Sequence, residues 1–334
     1  MREAAAKLAA IFPRERLDAA VMAWAEVAPP RGLWGVAFSG GADSLALLLL
    51  LWAHWPERRG RLRVLHFNHR LRGAESRADA RFCRRVCAAL GVTYCEDEWA
   101  GAHRGASEAE ARGARMRFFA RESRVVWFGH QQDDIAETMF MRLSRGSGPG
   151  GLAAPRPVQS VSAKRVHLRP LLSLKKSELT AALRRLGVTW REDRTNAAPD
   201  FFRNRIRTRV LPAWSRAAGR DALAGAALSR QLLEEDDAAL DEWLREILPA
   251  QTRRGGLDLA PLQGKPRALW RRALHRWLLA EPRAGDLSRV AFEELLGRLM
   301  LGRRTCRSLG VAGFAVVEGQ ALRFETVAAR RRNT

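Results

Sequence analysis

Four short apolar segments, each followed by a helical pattern, constrain the fold of this chain more than any other feature. The segments cover 33–38, 61–67, 91–95 and 125–129, and the helical patterns that follow them cover 43–54, 75–90, 107–121 and 133–145. Strands that alternate with helices at about 30 residues per unit are typical of a parallel sheet with helices on both faces. The sequence therefore predicts an α/β fold, in which ligands bind outside the carboxyl ends of the strands.

Composition shifts along the chain predict two domains. A Gly/Pro-rich stretch at 146–157 precedes a helical pattern at 175–187, and a loop of turn formers within 190–212 then leads to a strongly basic helix start and to Pro212. Because proline is poorly tolerated inside a helix, we interpret Pro212 as a boundary. Residues 1–215, which include an N-terminal helical extension at 1–30, are predicted to form the main domain. Helical patterns and later strand-like runs predict a small α+β domain at 216–334.

An excess of positive charge predicts a polyanionic partner. The chain contains 58 Lys and Arg against 36 Asp and Glu, a net charge of +22. Of these, 37 basic and 21 acidic residues lie in 1–215, and 21 basic and 15 acidic residues lie in the rest. Codon usage can explain arginine in place of lysine, but it does not explain the sign of the charge. The anion-binding surface is therefore expected mainly in the first domain.

No apolar run is long enough to cross a bilayer. The longest, Leu45 to Ala53, ends at His54, whereas a span needs about 18 or more residues. The N-terminus is amphipathic and lacks the pattern of a signal peptide. The four cysteines show no metal-site or redox-pair spacing, as expected for idle thiols in a reducing compartment. We expect a cytoplasmic protein with no membrane partner.

A phosphate-binding loop is indicated directly after the first predicted strand. Its sequence, SGGADS, runs from Ser39 to Ser44 and leads into an apolar helix. Its glycines let the backbone approach an anion, its serine hydroxyls can donate to phosphate oxygens, and the helix N-terminus adds partial positive charge. The P-loop and G-x-G-x-x-G patterns are absent, which argues against a P-loop kinase and a dinucleotide-dependent dehydrogenase.

Two further polar segments follow predicted strands. HFNHRLRG begins at His66, where a ring-stacking or ribose-contacting side chain would serve a bound nucleotide. GHQQDDIAET begins at Gly129 and contains Asp133, Asp134 and Glu137. Asp133 and Glu137 are four residues apart and would share one helix face. Carboxylates beside bound phosphate groups require a cation, either Mg²⁺ or an amino-acid ammonium, although helix capping also explains acidic residues there.

Together these segments resemble the PP-loop ATP pyrophosphatase superfamily and, within it, the tRNA(Ile)-lysidine synthetase family. The resemblance runs in order over roughly residues 33–212. Its blocks are SGGADS, HFNHRLRGAES, the AR-x-x-R stretch at 111–115, HQQDDIAET, RLSRGSGPGGL at 142–152, RPLL at 169–172, EDRTN at 192–196 and FFRNRIR at 201–207. The resemblance implies a ligase that joins lysine to C2 of the wobble cytidine of tRNA(Ile) with a CAU anticodon. In the implied reaction, AMP is transferred to cytidine O2 with loss of pyrophosphate, and the lysine amine then attacks C2 and expels AMP.

The same resemblance implies a set of site residues. Those expected to bind ATP are Ser39, Gly40, Gly41, Ala42, Asp43, Ser44 and His66, with Asp43 also positioning Mg²⁺. The expected catalytic residues are Asp43, Arg112 and Asp133, with Arg115 as a weaker candidate beside Arg112. The expected lysine-binding residues are Asp133, Asp134, Glu137 and His130. The base that deprotonates lysine is left open between the carboxylates and His130.

A tRNA partner accounts for the positive charge, because phosphate contacts supply most of the affinity for RNA. The residues expected to bind tRNA are Arg203, Asn204, Arg205 and Arg207. The alternating arginines of this segment, which continue to Arg209, suggest a strand or loop edge along the RNA backbone. On a helix they would not share one face, and part of the set would then pair with Glu192 and Asp193. The smaller domain is implied to help recognise the tRNA, and homodimer formation is left open.

Two alternatives remain at this point. One is another PP-loop tRNA modifier, such as a 2-thiocytidine synthetase, although sulfur relays and iron–sulfur clusters need suitably spaced cysteines. The other is a non-catalytic tRNA-binding protein on a PP-loop scaffold, which would be expected to lose Asp43 or the acidic motif. Both are present here.

Overall fold

The computed structural model describes residues 1–29, 31–70, 73–101, 108–192, 202–248, 256–281, 287–310 and 313–327. The chain divides into two compact units, Met1–Glu234 and Glu235–Thr334. The division falls inside one long helix, Ala222–Ile247, whereas the sequence predicts a boundary after residue 215.

The first unit is built around a six-stranded sheet. Its strands are β1 (Trp34–Ala37), β2 (Leu62–Asn68), β3 (Thr93–Glu98), β4 (Val125–Trp127), β5 (Val158–Ser162) and β6 (Arg165–Leu168). The order is β3-β2-β1-β4-β6-β5, and all neighbours are parallel except β5 with β6. The chain order reverses between β1 and β4, so the loops after these two strands flank the crevice where such sheets bind ligands. The predicted α/β fold is confirmed.

Helices cover both faces of this sheet, as the alternating pattern predicts. The helices that lie in this unit are α1 (Arg2–Ile11), α2 (Ala19–Val27), α3 (Ala42–His54), α4 (Ala74–Leu90), α5 (Glu108–Glu122), α6 (Gln132–Leu143), α7 (Pro149–Leu152), α8 (Lys176–Arg185), α9 (Phe202–Arg205), α10 (Leu211–Ala218) and the first half of α11 (Ala222–Ile247). Helix α3 is buried all round from Leu45 to Leu51, because α1 and α8 pack against its outer side. A helix enclosed in this way gives the loop at its N-terminus a rigid base.

The basic segment near residue 205 is helical, so the expected strand or loop edge is wrong. Helix α9 continues through a π-helical turn, Ile206–Val210, into α10. Pro212 lies in the first turn of α10. A proline has no N–H to donate, and its ring would clash with the carbonyl group four residues earlier in a regular helix. The wide π-helical turn just before Pro212 relieves this conflict, so the helical run continues past the proline.

The second unit is a smaller α+β domain, as expected. Its antiparallel sheet has the order β7-β10-β9-β8. The strands are β7 (Leu257–Asp258), β8 (Thr305–Ser308), β9 (Gly313–Glu318) and β10 (Ala321–Thr326), and the helices within this unit are α12 (Arg267–Ala280) and α13 (Arg289–Met300). Trp270 and Trp277 of α12 are buried in its own core. Among the residues that the structure describes, no helix has both the length and the apolar character needed to cross a membrane.

Candidate active site

The loop after β1 is held by hydrogen bonds among its own groups. The Ser44 hydroxyl donates to the Gly41 carbonyl oxygen at 3.0 Å, and the hydroxyl oxygens of Ser39 and Ser44 lie 3.2 Å apart. The Gly41 N–H donates to the Ser39 hydroxyl at 3.3 Å. Gly41 is the N-cap residue of α3, and no side chain of the described residues caps this helix. The first N–H groups of α3 and two hydroxyls therefore converge at one point, an arrangement that binds an anion.

Two glycines allow the segments around this loop to approach closely. Gly40 has a φ of +85°, and a Cβ added there would lie 3.2 Å from the Cys83 sulfur. Gly129, just after β4, packs directly on the first turn of α3. A Cβ at Gly129 would lie 2.8 Å from the Asp43 carbonyl oxygen and 3.0 Å from the Ser44 nitrogen. Glycine at 129 therefore sets the distance between the phosphate-binding loop and the acidic segment that follows β4.

Asp43 is a half-buried carboxylate with one buried oxygen atom. Its Oδ1 atom is buried and has no hydrogen-bond partner among the described residues. Burial raises the pKa of Asp43 to about 6, and the negative charges of Asp134 and Asp133 act in the same direction. The positive charges of Lys176 and Arg207 oppose the shift. Strong perturbation of this kind is typical of functional carboxylates.

The surroundings of Asp43 fit a Mg²⁺ ion that is shared with phosphate groups. Among the described residues, no group of three or more His, Cys, Asp or Glu side chains is placed to hold a metal ion alone. Mg²⁺ is commonly bound through one or two carboxylates, with substrate phosphates and water completing its ligands. The unpaired Oδ1 atom of Asp43 beside the loop satisfies that requirement.

The first turn of α6 carries two carboxylates with different local tasks. Asp134 accepts a hydrogen bond from the Gln131 N–H at 3.0 Å, and the Gln131 side chain accepts from the Asp133 N–H at 2.6 Å. This reciprocal pair is a capping box, so the capping explanation holds for Asp134. Asp133 instead accepts from the Lys176 N–H at 3.0 Å, which ties α6 to the start of α8.

Glu137 and Asp134 are paired with arginines from the helical run at 202–210. Arg203 contacts Glu137 at 2.7 Å and Asp134 at 2.5 Å, and Arg207 contacts Glu137 at 2.6 Å. The Glu137 side chain is only 1% exposed. Burial acts to lower the pKa of Arg207, but its hydrogen bond and ion pair with Glu137 raise the pKa overall. These two carboxylates are thus neutralised within the protein, whereas Asp133 has no arginine partner among the described ion pairs.

The expected tRNA-binding residues occupy different environments. Arg203 and Arg207 point to the acids of α6, and the expected pairing with Glu192 is not observed for them; Asp193 lies outside the described residues. Asn204 is buried. The Arg205 guanidinium lies 5.7 Å from the centre of the Phe202 ring. Any role of this segment in RNA binding stays a prediction.

A small cavity lies beside these carboxylates. It has a volume of about 190 Å³. Its lining residues are Asp133, Glu137, Lys176, Arg207, Leu211, Pro212, Ser215 and Leu223. This volume is well below the roughly 300 Å³ at which sites for drug-sized ligands begin. The lining thus combines two carboxylates and two basic side chains with the apolar side chains of two leucines and a proline.

The two histidines singled out from the sequence are both held by the fold. His66 is buried within β2, and its Nδ1 atom lies 2.9 Å from the Phe38 carbonyl oxygen, next to the phosphate-binding loop. His130 accepts a hydrogen bond at Nδ1 from Arg169 Nε at 3.1 Å. Burial, followed by the positive charges of neighbouring arginines, holds the pKa of His130 well below its usual value. A histidine in this state is a poor base, which favours the carboxylates.

Arg112 and Arg115 lie on α5, where their charges reach the same region. Both contribute to the low pKa of His130, and Arg112 also affects Arg169. Burial, with Arg112 as a further cause, lowers the pKa of Arg169 to about 10. The two α5 arginines therefore add positive charge around His130 and Arg169, and their catalytic role stays a prediction.

Sequence reasoning missed several residues that shape the site. The positive charge of Lys176 counteracts the increase in the pKa of Asp43. Lys176 could have been noticed in the sequence because the chain contains only five lysines. The Arg191 N–H donates to the Gly40 carbonyl oxygen at 2.9 Å, and its Nε atom contacts Asp79 at 2.6 Å. No pattern in one sequence predicts that a backbone group so distant along the chain closes the loop.

The fold and this loop together define a nucleotide-binding protein of the PP-loop class. The PP-loop domain family matches residues 16–214. The tRNA(Ile)-lysidine synthase of Hyphomonas neptunium is 37% identical over 79% of this chain and 74% of its own length. That of Rhodococcus erythropolis is 37% identical over 79% of both chains. This chain belongs to the tRNA(Ile)-lysidine synthase family, which confirms the resemblance found in the sequence.

Two further comparisons concern chain length and fold. The chain spans 40% of the length of the tRNA(Ile)-lysidine synthase of Solibacter usitatus and 59% of that of Geobacter sulfurreducens. Among solved structures, the U34-tRNA thiolase NcsA from Methanococcus maripaludis is similar with a TM-score of 0.51 and 15% identity, over 70% of this chain and 78% of the thiolase. At that identity the likeness concerns the fold alone.

Proposed function

We propose that this protein joins L-lysine to C2 of the wobble cytidine of tRNA(Ile) with a CAU anticodon, at the expense of ATP. The observation that carries the proposal is the juxtaposition of the phosphate-binding loop with a carboxylate-lined cavity. The charges of Asp133 and Lys176, which both line that cavity, affect the pKa of Asp43 in the loop. A bound triphosphate and a bound amine would therefore share one crevice. This is required if both react with the same cytosine ring.

The loop from Ser39 to Ser44 would hold the triphosphate through its backbone N–H groups and hydroxyls. Asp43 would hold Mg²⁺ together with the phosphate oxygens. Such an ion neutralises charge on the phosphates during phosphoryl transfer. Lys176 of this chain adds a second positive charge on the same side.

In the first step, cytidine O2 attacks the α-phosphorus of ATP. A bond forms between this oxygen and phosphorus, and the bond to the leaving pyrophosphate breaks. The protein would position the reactants and stabilise negative charge. Arg112 and Arg115 would contribute to this, since their positive charges help to lower the pKa of His130 in the same crevice. The product is a cytidine whose C2 carries AMP as a good leaving group.

In the second step, the ε-amine of lysine attacks C2 and expels AMP. Asp133 is the carboxylate best placed to bind the ammonium and take its proton, because Glu137 and Asp134 are already paired with arginines. Leu211 and Leu223 line the same cavity and would contact the methylene groups of lysine. Arg203 and Arg207 would keep the other two carboxylates ionised and fixed, so that a single carboxylate remains for the substrate.

The tRNA would be attracted by the net charge of +22. Arg205 and the exposed Arg209 at the end of the π-helical turn are candidates for contacts with the RNA backbone. We propose the second unit, Glu235–Thr334, as a further tRNA-recognition element. The reaction would take place in the cytoplasm.

The test uses the full chain with ATP, Mg²⁺, radiolabelled lysine and tRNA(Ile) that carries a CAU anticodon. We expect labelled RNA together with AMP and pyrophosphate. Methionine tRNA with the same anticodon should stay unlabelled, and equal labelling of both would refute the proposed selectivity. Sulfur incorporation in place of lysine would favour a thiolating modifier, and RNA binding without any product would favour a non-catalytic protein.

The role of Asp133 is tested separately with Asp133→Asn. We expect tRNA-dependent pyrophosphate release to continue while the KM for lysine rises at least 100-fold. The exposed Asp236→Asn serves as the control and should leave both quantities unchanged. An Asp133→Asn variant with the wild-type KM for lysine would exclude this residue from the lysine site.

A further inference from the structure

Arg169 is a buried arginine whose described hydrogen bonds all go to uncharged acceptors. The residue follows β6 and is 5% exposed. Its Nε atom donates to His130 Nδ1 at 3.1 Å, its Nη1 atom to the Arg156 carbonyl oxygen at 2.7 Å, and its Nη2 atom to Gln159 Oε1 at 2.9 Å. Burying a guanidinium is costly unless its donors are satisfied. Of the three acceptors, only His130 is a side chain that the sequence singled out for the site.

An aromatic side chain fixes the relative placement of Arg169 and His130. The Phe128 ring stacks on the His130 ring, with centroids 5.6 Å apart and planes inclined by 20°. The Arg169 guanidinium carbon lies 5.5 Å from the centre of the same Phe128 ring. Phe128 is itself buried. Neither side chain can turn away from the other without loss of these contacts.

This hydrogen bond determines where the proton of the imidazole resides. A guanidinium has only donors and stays protonated in proteins, so the atom that it contacts must offer a lone pair. A neutral imidazole that accepts at Nδ1 carries its proton on Nε2. His130 in this geometry presents an N–H donor and has no lone pair left for a substrate proton.

We infer that Arg169 is a positioning residue that fixes His130 as the neutral Nε2–H tautomer, so that His130 donates a hydrogen bond to a phosphoryl oxygen of a bound substrate. The identity of that substrate rests on the proposed function, whereas the tautomer does not. His130 is thus a hydrogen-bond donor in this site and not the base that the sequence left open.

The charges around His130 are consistent with this role. Arg169 contacts it from the end of β6, and the positive charges of Arg203 on α9 and of Arg112 and Arg115 on α5 also act on it. All four positive charges oppose protonation of the ring. Arg203 is already paired with Glu137 and Asp134, so the attraction of an anionic oxygen to this place falls to the arginines of α5 and to Arg169. Together with burial, the four charges hold the pKa of His130 well below its usual value.

The direct test is ¹⁵N NMR of the full chain with labelled histidine. The His130 signals are assigned by their loss in His130→Gln. In the wild-type protein, we expect a protonated Nε2 and an unprotonated Nδ1 from about pH 5.5 to about pH 8. A wild-type His130 that is protonated at Nδ1, or doubly protonated at neutral pH, would overturn the inference without any variant.

Arg169→Gln tests the positioning role. We expect a mixture of tautomers and a His130 titration that moves toward the ordinary pKa. The matched control is Arg58→Gln, which also removes a buried arginine that donates to backbone carbonyl groups, but far along the chain from His130. An unchanged His130 spectrum in folded Arg169→Gln, or the same change in Arg58→Gln, would contradict the inference.

Activity and ligand titrations test the donor role. The side-chain amide of His130→Gln retains an N–H near the position of Nε2 but cannot act as a base, so its turnover should exceed that of His130→Phe at least tenfold. Equal losses in the two variants would indicate a base. Addition of a non-hydrolysable ATP analogue with Mg²⁺, or of tRNA, identifies the source of the phosphoryl oxygen, because the Nε2–H proton signal moves downfield in that arm. Movement in neither arm would contradict the donor role, even if the tautomer is as inferred.

Discussion

Replacement of Asp43 by asparagine should stabilise the ligand-free protein at neutral pH while it abolishes pyrophosphate release. In the folded protein, burial and the neighbouring carboxylates raise the pKa of Asp43 from 3.8 to about 6. A carboxyl group with a raised pKa binds more protons in the folded state than in the unfolded state. Its charge therefore destabilises the fold increasingly as the pH rises from about 4 to above 6.

The size of the effect follows from the shift. A difference of about 2 pKa units corresponds to about 3 kcal/mol at pH values above the folded-state pKa. At about pH 5 the same relation leaves about half of that, because the folded-state carboxyl is then mostly protonated. Asp43→Asn removes the charge at nearly constant shape. The gain in unfolding free energy over the wild-type protein should therefore grow from about 1.5 kcal/mol at pH 5 to about 3 kcal/mol at pH 7.5.

The assay is urea unfolding of the ligand-free wild-type protein and of Asp43→Asn at several pH values, followed by tryptophan fluorescence. The exposed Asp236→Asn is the control, which should change the unfolding free energy by less than about 0.5 kcal/mol at every pH. A difference between Asp43→Asn and wild type that is independent of pH, or a less stable variant at pH 7.5, would refute the account of Asp43. Saturating ATP with Mg²⁺ should stabilise only the wild-type protein, because the cation restores a partner for the carboxylate.

Three further changes have expected outcomes. Gly129→Ala should lower the unfolding free energy by about 2 kcal/mol and weaken ATP binding, because its Cβ would lie 2.8 Å from the Asp43 backbone. The control Gly225→Ala, in open space on α11, should raise the unfolding free energy by about 0.5–1 kcal/mol. Equal effects of the two changes in chemical denaturation would contradict this expectation. Glu137→Gln should cost about 3 kcal/mol in the same assay, since it leaves two arginines without their shared partner, and a loss below about 1 kcal/mol would show that the pair is unimportant. Arg209→Gln should reduce the salt dependence of tRNA affinity by about one unit in the log–log slope, and an unchanged slope in filter binding would remove this residue from the RNA surface.

The fold could be predicted largely because the central strands are short apolar runs, whereas the helices between them are longer and have a helical pattern of apolar residues. The buried strands β1, β2 and β4 are such runs, and the helices that follow them have glycine or glutamine as N-cap residues. The hairpin of β5 and β6 escaped prediction because β5 is mostly exposed and carries almost no apolar pattern. For the basic segment the sequence left a strand or loop edge and a helix open, because alternating arginines imitate a strand, and the structure shows the helix.

The sequence predicted which segments form the site, but not which side chains pair with one another there. The sequence identifies the loop from Ser39 to Ser44 and the acids after β4 because each follows a strand, and carboxyl ends of parallel strands meet at one edge. It does not reveal that Arg203 and Arg207 neutralise Glu137, because such pairing depends on where α9 packs in space. The division of labour among the three carboxylates is therefore visible only in the structure.

The most direct measurement follows the C2 oxygen of the wobble cytidine. A tRNA(Ile) labelled with ¹⁸O at that oxygen is incubated with the protein, ATP, Mg²⁺ and lysine, and the released AMP is analysed by mass spectrometry. If the loop delivers the α-phosphorus to cytidine O2 and lysine then displaces AMP, the AMP carries the ¹⁸O atom. Unlabelled AMP released alongside lysine-modified tRNA would mean that the nucleotide activates something other than the base.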